Sequence, residues 1–146
     1  MTSDLELLFK GFSEAERRAF LALGTPERHP IRALLLKEGE LGSDMLLIEE
    51  GLLSIWARDV KVSEVGADSV LGVTALVEPH ERTASLVAET EVELRRFMRS
   101  AVLAHLEALP ERLAHLYYIN AFHIHMNLIR RCEERLIQLS RELPAR

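Results

Sequence analysis

One stretch of this chain has the residue types to hold an anion. It runs Gly72-Val73-Thr74-Ala75-Leu76-Val77-Glu78-Pro79-His80-Glu81-Arg82-Thr83-Ala84-Ser85. Gly72 closes the short apolar run Val70-Leu71, and the four residues after it are small or aliphatic. Such residues form one turn of helix, whose first backbone N–H groups are free to receive a negative charge. Gly72 has no Cβ, so the backbone there can approach a ligand closely. Arg82 offers a planar guanidinium to a phosphate, and Thr83 and Ser85 add hydroxyl donors. Glu78 and Glu81 lie close in sequence, so an ordinary surface ion pair is the competing use of Arg82.

Other chemistry is thinly supplied. His123 and His125 have a metal-ligand spacing on a strand, but on a helix two residues apart face about 200° from each other. A cupin-type metalloenzyme needs several strand histidines or glutamates, and His80 is the single histidine between Ile31 and Phe97. His80 sits in the loop Glu78-Pro79-His80-Glu81, where a histidine beside proline is ordinarily solvated. Cys132, the one cysteine, excludes an internal disulfide and leaves too few thiolates for an iron–sulfur cluster or zinc knuckle. It is a redox sensor if exposed and acidified, and a small hydrophobe if packed. No nucleophile–base set accompanies the scattered hydroxyls, so the chain reads as non-enzymatic.

Composition bounds the class. With 146 residues, 48% apolar and 28% charged, the chain makes one globular domain with a core of its own. The formal charge is −5, and the basic pairs Arg17-Arg18, Arg95-Arg96 and Arg130-Arg131 are dispersed, which argues against direct nucleic-acid binding. Met-Thr-Ser-Asp-Leu-Glu carries no basic n-region, and no apolar run approaches the roughly 20 residues of a membrane span. A cytoplasmic location is expected.

The positioning elements follow from pattern. Ser3 to Glu6 and Ser13 to Glu16 fit the capping-box spacing. The second opens a helix with Ala15, Phe20, Leu21 and Leu23 as core candidates, ended by Gly24. Thr25 to Pro30, with Pro26 and Pro30, reads as loop. From Ile31 to Phe97 the chain changes to short apolar runs between turns: Ile31–Leu36, Met45–Ile48, Leu52–Ala57, Val60–Val65, Val70-Leu71, Thr83–Ala88 and Val92–Phe97. Glu38–Asp44, Glu50-Gly51 and Arg58-Asp59 are the turns. Many short strands with glycine turns favour an antiparallel jelly roll or barrel.

After Phe97, Ser100 to Leu109 reads as a helix, and Pro110 suits the first turn of another. That second helix continues to about Leu139, far beyond the typical 11–12 residues. Tyr118, Phe122, His125, Ile129, Cys132, Leu136 and Leu139 alternate spacings of four and three, a heptad seam. Tyr117, Ala121, Ile124 and Leu128 make a neighbouring stripe for the strand domain. Two apolar faces imply two surfaces to bury, the seam against a second copy of the chain. One broad face covered by the chain's own domain is the alternative.

Three blocks resemble the cyclic-nucleotide-binding domain family, found in catabolite-activator-type regulators, kinase regulatory subunits and channels. Leu8-Phe9-Lys10-Gly11-Phe12-Ser13 is similar to its entry segment. Lys37-Glu38-Gly39-Glu40 through Asp44–Gly51 is similar to its paired strands and glycine turn. Leu71–Leu76, then Arg82-Thr83-Ala84-Ser85, is similar to its phosphate-binding cassette. The resemblance implies that Arg82 pairs with a cyclic phosphate. It also implies a glutamate for the ribose 2′-hydroxyl where this chain has Val73. Some regulators of that superfamily are haem sensors with a histidine ligand in the region of His80.

The expectation is an α+β, mostly β fold in one domain over 1–146. An N-terminal helical segment (1–30) and a jelly-roll barrel with its cassette (31–97, cassette 72–85) precede C-terminal helices (98–146). Gly72, Val73, Thr74, Ala75, Arg82 and Thr83 are the candidate ligand residues. The expected function is a regulatory domain that senses a cyclic nucleotide or other small anion and signals through a dimerising helix. A ligand-free dimerisation scaffold and a haem sensor are the alternatives. The partners expected are a second copy and a downstream effector domain or protein, whether the chain stands alone or is cut from a longer regulator.

Overall fold

Ser3 and Ser13 each accept a hydrogen bond from the backbone N–H three residues on. Each starts a helix in the computed structural model, which describes residues 2–74 and 78–144: α1 is Asp4–Leu8 and α2 is Glu14–Leu21. Only Ser13 completes the reciprocal box, its N–H donating to Glu16 Oε1 at 2.8 Å. Phe20 seals α2 onto the core, fully buried, whereas Ala15 is exposed and Gly24 lies beyond the helix end.

Ten strands follow among the described residues: β1 Thr25–His29, β2 Leu34–Leu36, β3 Leu41–Gly42, β4 Met45–Glu50, β5 Leu53–Ala57, β6 Val60–Val65, β7 Val70–Leu71, β8 His80–Glu81, β9 Ser85–Ala88 and β10 Val92–Phe97. They form an antiparallel jelly roll of two four-stranded sheets, β1-β10-β4-β7 and β2-β9-β5-β6, with a two-stranded ribbon β3-β8. Arg58 and Asp59 both have positive φ, 50° and 64°, between the paired residues Ala57 and Val60. That is the left-handed geometry a two-residue hairpin requires.

Side-chain alternation along β4 shows how the core is divided. Leu46 and Ile48 point between the two sheets, among Leu53, Leu86, Val92 and Leu94. Met45 and Leu47 point the other way, into a helix-covered cluster with Phe20, Phe97 and Tyr117. With successive residues on opposite faces, the continuous run Met45–Ile48 is a strand buried on both sides.

Several expectations are corrected. Thr25 to His29 is a strand, not loop: β1 is an edge strand, where the missing N–H of Pro26 costs no ladder bond. The strand expected from Ile31 starts only at Leu34, since Arg32 turns the chain with φ 72°. The turn Glu38–Asp44 contains β3.

Two helices end the chain: α3 Arg99–Ala108 and α4 Glu111–Glu142, with Pro110 as the N-cap of α4 rather than within its first turn. At about 1.5 Å rise per residue, the 32 residues of α4 extend about 48 Å. Leu113, Tyr117, Ala121 and Ile124 bury one face of its first half, each side chain contributing about 1.5–3 kcal/mol where large and apolar. Asn120, buried beside them, donates from Nδ2 to the carbonyls of Leu8 and Lys10, both at 3.0 Å. At its other end α1 holds β7: Val70 N–H donates to Asp4 Oδ2 at 3.0 Å, and Leu5 N–H to Asp68 O at 3.0 Å. A five-residue helix thereby ties the strand that enters the cassette to the long helix.

Candidate functional site

β7 delivers the chain to Gly72, whose φ of 83° is open to glycine and strained for other residues. A Cβ there would stand 2.6 Å from Asp44 O and 3.0 Å from Arg82 Nη1. Val73 and Thr74 then take helical backbone geometry. Ala75, the fourth candidate, lies outside the described residues.

Arg82 reaches the same place from the end of β8. Its backbone N–H donates to Glu40 O and its carbonyl accepts from Gly39 N–H, both at 2.8 Å, extending the β3-β8 ribbon. The side chain crosses Gly42, where an added Cβ would fall 1.9 Å from Nε. Two glycines, Gly42 and Gly72, therefore make the slot in which the guanidinium lies. Its Nη2 donates to Asp44 O at 3.0 Å, and among the described residues no carboxylate pairs with it. Neither Glu78 nor Glu81 forms the surface ion pair considered above. Burial pulls the Arg82 pKa down; the Asp44 charge opposes this and nearby Arg96 adds to it. The group stays charged, because arginine is not deprotonated in proteins.

Arg96, on β10, shows where the carboxylates went. Its Nε donates to Glu27 Oε2 at 2.6 Å, Nη2 to Glu27 Oε1 at 3.3 Å and Nη1 to Asp44 Oδ2 at 3.1 Å. The hydrogen bond to Glu27 raises the Arg96 pKa and lowers that of Glu27. With Asp44 turned to Arg96, Arg82 keeps only a carbonyl.

A cavity of about 140 Å³ opens at Arg82 between the barrel and α4. Gly72, Val73, Thr74, Arg82 and Thr83 line it, so the structure brings together every described cassette candidate. Apolar side chains from both walls, among them Leu36, Ile55, Leu86, Ile124 and Leu128, complete it. Val73 is only 6% exposed and shares a core cluster with Tyr117, Ala121 and Ile124, so it touches the ligand side and the helix side at once. Thr83 is exposed at the rim, and Ser85 Oγ accepts from Glu38 N–H at 2.9 Å.

His80 is held by both nitrogens. Nδ1 donates to Glu81 O at 2.8 Å, since a carbonyl only accepts, and Nε2 is hydrogen-bonded with the Thr74 hydroxyl at 3.1 Å. Axial ligation of a haem iron by Nε2 would first have to break the Thr74 bond.

On α4 the seam is uncovered in the single chain. Tyr118, Phe122 and Leu136 are 40%, 61% and 62% exposed, and His125, Ile129, Cys132 and Leu139 are half-buried. Tyr118, Phe122 and His125 also border a groove that adjoins the cavity through Val73, Thr74 and His80. The neighbouring stripe packs inward as expected, with Leu128 on the cavity wall. Among the described residues no helix is long and apolar enough to cross a membrane.

Sequence reasoning missed Gly42, Arg96, Glu27 and Asn120. Gly42 stands in a block already singled out, but nothing in its type names Arg82 as its neighbour. Glu27 and Asp44 are 69 and 52 positions from Arg96, a distance across which local pattern carries no signal.

Residues 27–108 match the family described as the cyclic nucleotide-binding domain. The chain belongs to the cyclic nucleotide-binding domain family. Among curated proteins, it is 32% identical over 69 residues to a cGMP-dependent protein kinase of Drosophila melanogaster, spanning 47% of this chain and 6% of the kinase. It is 36% identical over 69 residues to a cyclic nucleotide-gated potassium channel of Rhizobium etli, spanning 47% of this chain and 19% of the channel. These relatives are much longer proteins, and the chain spans only a small part of their length. Among solved structures, a cyclic nucleotide-binding domain from Methylobacillus flagellatus superposes with a TM-score of 0.83 at 22% identity, covering 97% of this chain and 83% of that one. The catabolite activator protein of Thermus thermophilus gives 0.76 at 23%, covering 92% and 63%. At such identities these likenesses show the fold.

Proposed function

We propose that this domain is a regulatory sensor of a small anion, held by Arg82 and signalled through α4. One observation carries the reading: a half-buried guanidinium, in a slot made by Gly42 and Gly72, faces a cavity with no carboxylate on it among the described residues. A desolvated cation without a counter-charge is costly unless a ligand supplies one. An anion on Arg82 draws Gly72, Val73 and Thr83 inward. Val73, packed with Ala121 and Ile124, carries that movement to α4 as a shift between two packings. The open seam Tyr118, Phe122, His125, Ile129, Cys132, Leu136 and Leu139 joins a second copy and passes the change to an effector.

Cyclic AMP is a poor fit for the other half of the site. Where the family resemblance implies a carboxylate for the ribose, Val73 presents an isopropyl group. A hydrogen bond to a charged group contributes about 1.5–3 kcal/mol, so its loss weakens binding roughly 10- to 150-fold. Titration calorimetry with cyclic AMP tests this: Arg82→Ala abolishes the weak binding of the parent, and Val73→Glu strengthens it at some cost in stability. The uncovered seam would equally serve a ligand-free dimerisation scaffold. That second reading takes over if no cyclic nucleotide or other small anion binds, while Ile129→Glu with Leu136→Glu still converts dimers to monomers in sedimentation.

A further inference from the structure

The cavity itself says more about its ligand than Arg82 does. Its volume, about 140 Å³, is close to the roughly 150 Å³ of an apolar void that admits benzene. Leu36, Ile55, Leu71, Leu86, Ile124 and Leu128 make the larger part of its wall apolar, with Arg82 as its one cationic group among the described residues. Among the described residues no aspartate or glutamate lines it, and the Thr74 hydroxyl is paired with His80 and the Ser85 hydroxyl with the Glu38 N–H. A sugar bearing several hydroxyls would find few free acceptors in such a space, which is costly. Arg82 brings one unpaired positive charge to the wall, since the carboxylates of Glu27 and Asp44 are hydrogen-bonded to Arg96, so a single negative charge matches it.

We infer that the site takes a compact monoanion with an apolar body, of the class of monocyclic aromatic carboxylates, in preference to a nucleotide. The carboxylate lies in plane with the Arg82 guanidinium, the pairing in which two N–H groups donate to two oxygens. The ring fills the space between Leu36, Ile55 and Leu86 on the barrel and Ile124 and Leu128 on α4. A ring pressed against Ile124 and Leu128 touches the signalling helix directly, so the ligand body as well as Val73 reports occupancy.

This inference rests on Arg82 being the anion anchor, and the test separates the two. The whole chain is titrated with benzoate, acetate and cyclic AMP, followed by amide NMR shifts, in the parent, in Arg82→Ala and in Leu128→Trp, which fills the cavity from the helix side. Benzoate is expected to bind at least tenfold more tightly than acetate or cyclic AMP. Arg82→Ala should abolish its binding, and Leu128→Trp should weaken it at least tenfold while circular dichroism stays that of the parent. If Leu128→Trp fails to fold, naphthalene-2-carboxylate replaces it as the size probe and should bind less well than benzoate. Tighter binding of cyclic AMP than benzoate, lost in Arg82→Ala, would overturn the ligand class and leave the anchor standing. Acetate binding as well as benzoate would overturn the apolar subsite. Binding of all three unchanged in Arg82→Ala, or of none, would remove the anchor and the inference with it.

Discussion

Two arginines that both hydrogen-bond to Asp44 have opposite surroundings. Arg96 is wrapped by Glu27 and Asp44, which raise its pKa, and it joins β1, β10 and the turn before β4. Arg82 lies over two glycines with one carbonyl bond, and burial lowers its pKa. The fold completes the first; on the proposal made above, an anion from outside completes the second. A charge without a partner in a cavity marks a binding site better than the residue type does, because evolution can satisfy an arginine internally wherever no ligand needs it.

Breaking each arginine should give opposite phenotypes. Arg96→Met strands two carboxylates, and with side chains about a quarter exposed the loss of stability is about 1–3 kcal/mol in urea unfolding. Arg82→Met removes a cation with a single carbonyl bond, so stability changes by less than about 1 kcal/mol while anion binding goes. Equal destabilisation by both would erase the distinction. Gly42→Ala sharpens it: the new methyl displaces the guanidinium, so binding falls as in Arg82→Met, and overpacking costs about 1–2 kcal/mol. Binding that survives in Gly42→Ala means the slot is not what orients Arg82.

The smallest effect is on pH dependence. Glu27 has its folded pKa depressed, chiefly by the Arg96 hydrogen bond. Its contribution is therefore present above the unfolded value of about 4.3 and is lost as pH falls through the lower folded value. Glu27→Gln should flatten the acid limb of a urea midpoint against pH, and Arg82→Met should leave that limb unchanged, since Arg82 holds no carboxylate. An acid limb that moves with Arg82 would place a carboxylate on it in solution.

Much of this was legible in the sequence, for local reasons. Ser13 and Glu16 announce their cap, Met45–Ile48 its doubly buried strand, and the stripe Tyr117, Ala121, Ile124 and Leu128 its inward face. β1 was not legible, because Pro26 reads as a breaker unless the strand is known to lie at an edge. Gly72, Thr74 and Arg82 were named from the sequence and line the cavity, and Val73 was named there as the departure from the family pattern. Its second role, packing on α4, needed the fold. The division of labour between Arg82 and Arg96 was invisible: it depends on which arginine wins Asp44, and that is settled by long-range register.

Whether Arg82 awaits an anion while Arg96 does not can be read from the NMR signals of their side-chain N–H groups. On titration with benzoate and, separately, with cyclic AMP, the Arg82 signals should shift and saturate with at least one of them. The Arg96 signals should stay in place throughout. Arg82 signals that do not move with either anion, or Arg96 signals that move with them, would contradict that difference between the two arginines.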